Sequence, residues 1–305
     1  MSTHVIIDCD PGIDDALALL LAAGLPGVEL LAVTAVAGNR PVEITARNAR
    51  RVLDLAGLAA VPVHAGAARP FGYAQARCNL VHGEDGLGGV VLPTGAALAP
   101  GHAAMRLAQW LAEAPAHSID LVAIGPLTNL ALCEMLEPGS LARARRVLVM
   151  GGALRVPGNI TPAAEFNFHA DPTAARMVLE AGANLLLFPL DVTSQAVMHP
   201  GWIAAFGGTA NACGQAAGAM LAAYAALDPL LHDACPVAWL AAPELFRAEA
   251  CHVQVDWRDG PSAGHAQAWF GERGDAPGPV NARAMTALDN DALLALVAHA
   301  IGRLP

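Results

Sequence analysis

Short, continuous runs of valine, leucine and isoleucine alternate with helix-patterned stretches through the first two thirds of the chain, and few architectures accommodate that order. Such runs at 4–10, 28–37, 61–66, 119–125, 147–151 and 185–191 predict strands; the patterns at 14–24, 41–57, 103–114, 129–136 and 172–181 predict helices. A strand that is apolar along its whole length is one buried on both faces, and such strands separated by helices form a parallel sheet covered above and below. The expected class is α/β, with a mainly parallel central sheet flanked by helices. In the helix at 41–57, Arg50 and Arg51 fall on the side read as facing water. The C-terminal third changes character: 230–241 and 290–301 read as helices, while 251–257, 266–270 and 281–288 read as extra strands. The segment 71–101 is rich in Gly and Pro, and an irregular stretch of that length in a compact chain is usually functional or disordered. No Pro/Ser-rich linker and no internal repeat divides the 305 residues, so one domain over 1–305 is expected.

Composition narrows the partners. Hydrophobic residues make up 55% and charged residues 14%, which excludes a disordered chain. The 17 basic residues, all Arg, face 27 acidic ones for a net charge of −10, and no basic stripe suggests nucleic acid. Two stretches resemble membrane spans. The first, 16–37, is broken by Gly24, Pro26, Gly27 and Glu29 into helix, turn and strand. The second, 201–227, is uncharged but mostly Ala and Gly, with Asn211 and Gln215 inside, and such residues supply little transfer energy. It reads as a small-residue helix, packed on the protein or mobile. The Cys residues at 9, 78, 133, 213, 235 and 251 form no CxxC pair, so reduced thiols in a cytoplasmic protein are expected, without a zinc ribbon. The Met-Ser-Thr-His start lacks a basic n-region, which argues against a signal peptide.

The chemistry concentrates in DCDPGIDDA at 8–16, where Asp8, Asp10, Asp14 and Asp15 lie at the end of the first strand and the start of the first helix. Ligands of open α/β sheets bind outside the carboxyl ends of strands. Asp8 and Asp10 share one face of the strand because side chains alternate with period two. Crowded carboxylates raise one another's pKa, and a hard divalent cation with oxygen ligands removes that conflict. Helix capping explains one or two of the four, not all. Other strand ends are polar too: Asn39 closes AVAGN, AIGPLTN spans 123–129, His232 and Asp233 precede a helix, Asn159, Glu165 and Asn167 lie in GNITPAAEFN, and His82 sits in VHGEDGLGG. Each alone is a common turn or loop residue; the weight lies in the joint pattern.

With these motifs the chain resembles the inosine–uridine nucleoside hydrolases. DCDPGIDDA (8–16), AVAGN (35–39), VHGEDGLGG (81–89), GPLTNLA (125–131), VLVMGG (147–152), GNITPAAEFNFHADP (158–172) and HDACPVAW (232–239) carry the resemblance over nearly the whole chain. It implies a Rossmann-like nucleoside hydrolase fold and hydrolysis of the N-glycosidic bond of ribonucleosides to ribose and free base. It also implies one Ca2+ held by Asp10, Asp15, Asp233 and the main-chain carbonyl of Ile124, where many relatives carry Thr. Asp10 is then the general base on a water at the metal, and the carboxylates stabilise an oxocarbenium-like transition state. Asp14, Asn39, Asn159, Glu165 and Asn167 are implied to clamp the ribose, which predicts ribonucleosides over 2′-deoxyribonucleosides. His232 is implied to be the acid for the leaving base, with His82 beside it; His232 also adjoins Asp233 and could instead orient that ligand. A homodimer or homotetramer is implied.

The departures lie near the base. The stretch 214–230 offers only Tyr224 as an aromatic, among many Ala, and could close over substrate as a lid. GHAQAWF at 264–270 departs from the Gly-Thr-Val-Asp pattern common there, within a divergent 259–280 stretch. Two other readings compete. A haloacid-dehalogenase-type phosphatase also places Asp-x-Asp after a strand, but Pro11 follows Asp10 and the chain has no Lys for the phosphate. A catalytically silent nucleoside or ribose binder fits the thin base-side pocket, since fold alone never guarantees activity.

Overall fold

The computed structural model describes residues 2–93, 95–271 and 275–305. Thr94, within the irregular segment, and 272–274, within the divergent stretch, lie outside the described residues. The chain opens with β1 (Thr3–Cys9), α1 (Ile13–Gly24), β2 (Val28–Ala35), α2 (Val42–Leu55) and β3 (Val63–Ala65). After the loop come α3 (Ala103–Glu113), β4 (Ile119–Ala123), α4 (Thr128–Leu136), the short α5 (Ser140–Arg143) and β5 (Arg146–Met150). Then follow α6 (Phe166–Ala170), α7 (Pro172–Glu180), β6 (Leu185–Phe188), α8 (Leu190–Thr193), α9 (Pro200–Gly207), α10 (Ala212–Tyr224) and α11 (Ala234–Ala241). The chain ends with β7 (Phe246–Val255), β8 (Ala266–Phe270), β9 (Ala282–Leu288) and α12 (Asn290–Ile301).

Among the described residues the strands form a nine-stranded sheet in the order β3-β2-β1-β4-β5-β6-β9-β7-β8. Pairing is parallel from β3 to β9 and antiparallel where β7 meets β9 and β8. This is the expected α/β fold with extra C-terminal strands. Two apolar layers cover the sheet, one built around α1 and the other around α3, α4 and α7. Every described residue of α1 except Ala23 is buried, because the helix lies between the sheet and α2, α10, α11 and α12. A helix apolar all round needs such a place. That accounts for the membrane-like look of 16–37. Among the described residues, no helix is long and apolar enough to cross a membrane.

Four local readings change. Arg50 does not face water: it is 3% exposed, donates to the carbonyls of Val61 (2.5 Å) and Leu58 (3.0 Å), and pairs with Asp54 at 2.7 Å. Arg51 keeps partial exposure. The strand at 185–191 stops at Phe188, because Pro189 starts α8, its carbonyl accepting from the N–H groups of Val192 and Thr193. The helix at 230–241 starts only at Ala234, since Leu230 bridges Val197 and the Leu231 N–H donates to the Ala196 carbonyl. The small-residue stretch at 201–227 is two helices. Asn211 caps α10, and Cys213, Ala217, Met220, Leu221 and Tyr224 are buried, so it is the packed alternative that holds. The described part of 71–101 contains neither helix nor strand and is pinned where Phe71 N–H donates to Asp171 Oδ2 at 3.0 Å.

Candidate active site

The chain leaves β1 toward β2 on one side and returns to β4 on the other, so a crevice opens at the carboxyl ends of these two strands. Into it project Asp10 after β1 and Asp14 in the first turn of α1, then Asn39 after β2, Ile124 after β4 and Met150 at the end of β5. Glu165 and Asn167 enter at the start of α6; Tyr224, Asp228, His232 and Asp233 come from the end of α10 and the turn before α11. Together they line a cleft of about 120 Å³.

The floor is carboxylate. Asp15 Oδ1 and Oδ2 accept from the N–H groups of Asp10 (3.0 Å) and Gly12 (2.9 Å), so Asp15 also holds the turn, as a capping residue would. Asp10 Oδ2 accepts from the Asn39 N–H at 2.6 Å. The two carboxyl oxygens of Asp10 press against Gly38 and Gly125, where any Cβ would collide with them. Asp8 lies one layer deeper and accepts from Thr34 Oγ1 (2.5 Å) and Asn129 Nδ2 (2.8 Å).

One oxygen each of Asp14, Asp15 and Asp233 lies within 4.8 Å of the others. Asp10 is outside that triad, held back on Asn39, although it borders Asp15 closely enough to feel its charge. Among the described residues no Arg pairs with any of these four carboxylates. Burial, then the charge of Asp15, pushes Asp10 well above the usual carboxylate range; burial and Asp14 push Asp15 up to about 7. Burial, Asp14 and Asp15 raise Asp233 likewise. Asp14 Oδ1 is buried without a hydrogen-bond partner. Buried carboxylates that push one another toward protonation, with an unpartnered oxygen among them, are a donor set for a hard divalent cation. The buried Cys9 thiol is pushed well up by burial and points to the Thr34 carbonyl, so sulfur does not enter the set.

The walls are hydrogen-bonded. Asn39 donates from Nδ2 to Asp15 Oδ2 (3.2 Å) and accepts from Asn79 Nδ2 (2.8 Å). Glu165 accepts from the N–H groups of Asn167 (2.8 Å), Gly152 (2.9 Å) and Phe168 (3.2 Å). Asn167 Nδ2 donates to the Ile124 carbonyl at 2.9 Å, which leaves that oxygen a second lone pair. Asn159 is exposed on its loop, with Oδ1 accepting from the Phe166 N–H at 2.9 Å.

At the opposite end, His82 stacks on Tyr224 with ring centroids 5.0 Å apart, and its Nδ1 accepts from the Ile13 N–H at 3.1 Å. Its Nε2 is 3.7 Å from Asp14 Oδ1. Burial lowers the His82 pKa, against the raising effect of Asp14 and Asp228. His232 places Nδ1 2.8 Å from Thr193 Oγ1 and Nε2 3.3 Å from Asp228 Oδ2. Burial acts to lower the His232 pKa, but the hydrogen bond and charge of Asp228 outweigh it and hold the imidazole above its ordinary value.

Of the site residues singled out from sequence, all but Asp8 and Asp15 line this one cleft, and those two are fully buried. Sequence reasoning missed Asn79, Asp228 and Thr193. Asn79 stands two positions before the histidine loop motif. Asp228 stands four before His232 but outside any periodic element, where spacing carries no signal, and Thr193 lies in α8, two positions past the strand read at 185–191.

Known proteins share both sequence and fold. The family profile described as inosine-uridine preferring nucleoside hydrolase matches residues 5–295. The pyrimidine-specific ribonucleoside hydrolase RihA of Shewanella woodyi is 38% identical over 265 residues, covering 84% of this chain and 85% of its own. A plant nucleoside hydrolase superposes with a TM-score of 0.91 at 28% identity, covering 99% of both chains. A purine-preferring ribonucleoside hydrolase from Gardnerella vaginalis superposes with a TM-score of 0.90 at 27% identity, covering 98% of both.

Proposed function

We propose, for a chain that belongs to the inosine–uridine preferring nucleoside hydrolase family and is thus an enzyme cleaving ribonucleosides to ribose and base, that the reaction runs on one Ca2+ and the residues of this cleft. The observation that carries the reading is the floor of buried carboxylates that no arginine pairs among the described residues. Asp10, Asp15, Asp233 and the Ile124 carbonyl would hold the ion, and the geometry adds Asp14 as a neighbour able to share it. An all-oxygen donor set suits calcium. When bound, the ion supplies positive charge that keeps the carboxylates ionised and lowers the pKa of water.

The rest of the chemistry is the chain's own. Asp10 takes the proton of the attacking water on its carboxylate, held in place by the Asn39 N–H and by Gly38 and Gly125. The carboxylates under the sugar stabilise the positive charge that grows there. Asn39, Asn159, Glu165 and Asn167 surround the ribose hydroxyls with donors and acceptors, which favours uridine over deoxyuridine. His232 gives a proton from Nε2 to the departing base, the role its Asp228-raised basicity suits, with His82 and Tyr224 forming the wall beside it. The same reading places the enzyme in the cytoplasm, in keeping with six free cysteines, and as a homo-oligomer.

The test is ribose release, followed as reducing sugar, from inosine, guanosine, adenosine, cytidine and uridine after chelation and after calcium is restored. Release that returns with calcium is expected. Release that persists through chelation removes the metal from the reading. A His232→Ala variant is expected to lose about 10²–10⁴-fold in kcat; full activity on inosine and uridine would remove its acid role.

A further inference from the structure

Thr193 is fully buried and stays out of the cleft lining, yet its Oγ1 stands 2.8 Å from His232 Nδ1. Its seat is densely bonded. Asp191, at the start of α8, accepts from the Leu154 and Arg155 N–H groups, both at 2.9 Å, and the Thr193 N–H donates to the Pro189 carbonyl at 3.0 Å. Gln195 Nε2 donates to the carbonyls of Asp191 (2.6 Å) and Thr286 (3.1 Å). The segment that carries His232 is strapped to the residues just after α8. Leu230 bridges Val197, the Leu231 N–H donates to the Ala196 carbonyl at 2.9 Å, and the Met198 N–H donates to the Pro229 carbonyl at 2.8 Å. Ring and hydroxyl thus meet because the two backbones that hold them are bonded to each other.

An imidazole has two broad orientations about its outer torsion, and a half turn puts carbon where each nitrogen stood. Partners on opposite edges select one of the two. For His232 they are Thr193 at Nδ1 and Asp228, whose Oδ2 is 3.3 Å from Nε2. Asp228 lines the cleft beside His232, so Nε2 is the nitrogen on the cleft side. We infer that Thr193 is a positioning residue for leaving-group protonation: it holds the His232 ring so that Nε2, and not a carbon, meets the departing base. This rests on the reading above that His232 is the acid. A hydroxyl both donates and accepts, so Thr193 can hold Nδ1 in either protonation state. In the step itself the C–N bond breaks and its electron pair leaves with the base. The Nε2 proton passes to a base nitrogen, while Nδ1–H keeps donating to Thr193 Oγ1. The imidazolium becomes a neutral ring in the same orientation. Thr193 touches no reacting atom and acts only through His232.

The experiment compares two substrates in the presence of calcium: uridine, whose base needs a proton to leave, and 4-nitrophenyl β-D-ribofuranoside, whose nitrophenolate leaves without one. Thr193→Val keeps the volume and removes the hydroxyl. It is expected to lower kcat for uridine about 10–100-fold with KM nearly unchanged, and to change the nitrophenyl riboside by less than about threefold. Thr193→Ser restores the hydroxyl and is expected to restore kcat to within about threefold of the wild type. Thr193→Ala is read alongside, so that one poorly folding variant does not decide the outcome. In a His232→Ala background, Thr193→Val is expected to add no further loss, since it acts through the ring. Equal losses on both substrates, an unchanged kcat for uridine, or a full further loss in the His232→Ala background would each overturn the inference. His232→Ala itself separates the two readings. If it loses uridine alone while Thr193→Val loses nothing, the positioning role fails and the acid role stands. If it loses both substrates equally, the acid role fails and this inference fails with it.

Discussion

At the residue scale, the site depends on where carboxyl groups are held more than on how many there are. Asp10 is wedged between two glycines, with Oδ2 on the Asn39 N–H at 2.6 Å. A side chain at position 38 would have to displace the carboxylate assigned as the base. Misplacement of a reacting group by about 1 Å can cost 10²-fold. Gly38→Ala is therefore expected to lower kcat by about that factor while KM for uridine changes little; steady-state ribose release checks it, and an unchanged kcat would mean that the Asp10 position is not critical. The four carboxylates of DCDPGIDDA were legible because they sit within a few positions at a strand end. Asp233 stood out as a polar residue before a helix, but its partnership with them was legible only through family resemblance, since it lies far along the chain. The demand on Gly38 and Gly125 was not legible at all, because a glycine that makes room for another segment looks like any turn glycine.

At the element scale, two buried charges tie strand and helix ends. Arg50 satisfies the carbonyls of Leu58 and Val61, between α2 and β3, and pairs with Asp54. Its helical pattern marked the wet side only because arginine is normally wet; the tertiary carbonyls make the difference. Arg50→Ala leaves the Val61 carbonyl and Asp54 Oδ1 without a partner, while the Leu58 carbonyl keeps the Val61 N–H and Asp54 Oδ2 the Ala96 N–H, and it is expected to cost about 2–4 kcal/mol in urea unfolding. A cost below 0.5 kcal/mol would mean, on the usual scale for surface substitutions, that water replaces the guanidinium freely. Asp120 in β4 is gripped by Arg145 and Arg146. Burial alone would raise its pKa, but the two guanidinium groups outweigh burial and hold it below its ordinary 3.8. The folded state thus binds that proton less readily than the unfolded chain. The stabilisation is present above the unfolded pKa and is lost as pH falls through the depressed folded value. The Tm advantage of the wild type over Asp120→Asn is expected to be constant from pH 7 to 5 and to shrink below pH 4 (thermal melts of both proteins test this).

At the scale of the whole molecule, the crevice exists because β1 has neighbours on both sides whose chains run away from each other. The segments that meet there come from the N-terminus, the irregular loop and the turn before α11. A cation held by Asp15 and Asp233 with their neighbours would tie the first helix to the last third of the chain and would bind only the folded state. Calcium at a hundredfold excess over its Kd is expected to stabilise by about 2.7 kcal/mol, a rise of several degrees in Tm. Asp15→Asn should abolish most of that rise, and a Tm indifferent to calcium in the wild type would argue against a bound ion.

The order of strands and helices, the parallel sheet and the acidic turn were set by local chemistry. Apolar runs, helix periods and turn residues act over a few positions, and a single chain displays them. What the chain alone could not decide was every relation between distant segments. Whether Arg50 meets water or carbonyls, whether the alanine-rich stretch docks or drifts, and whether Asp228 meets His232 all depend on which surfaces come together once the core closes. Close packing and the pairing of buried polar groups decide those contacts, and both are properties of the assembled interior.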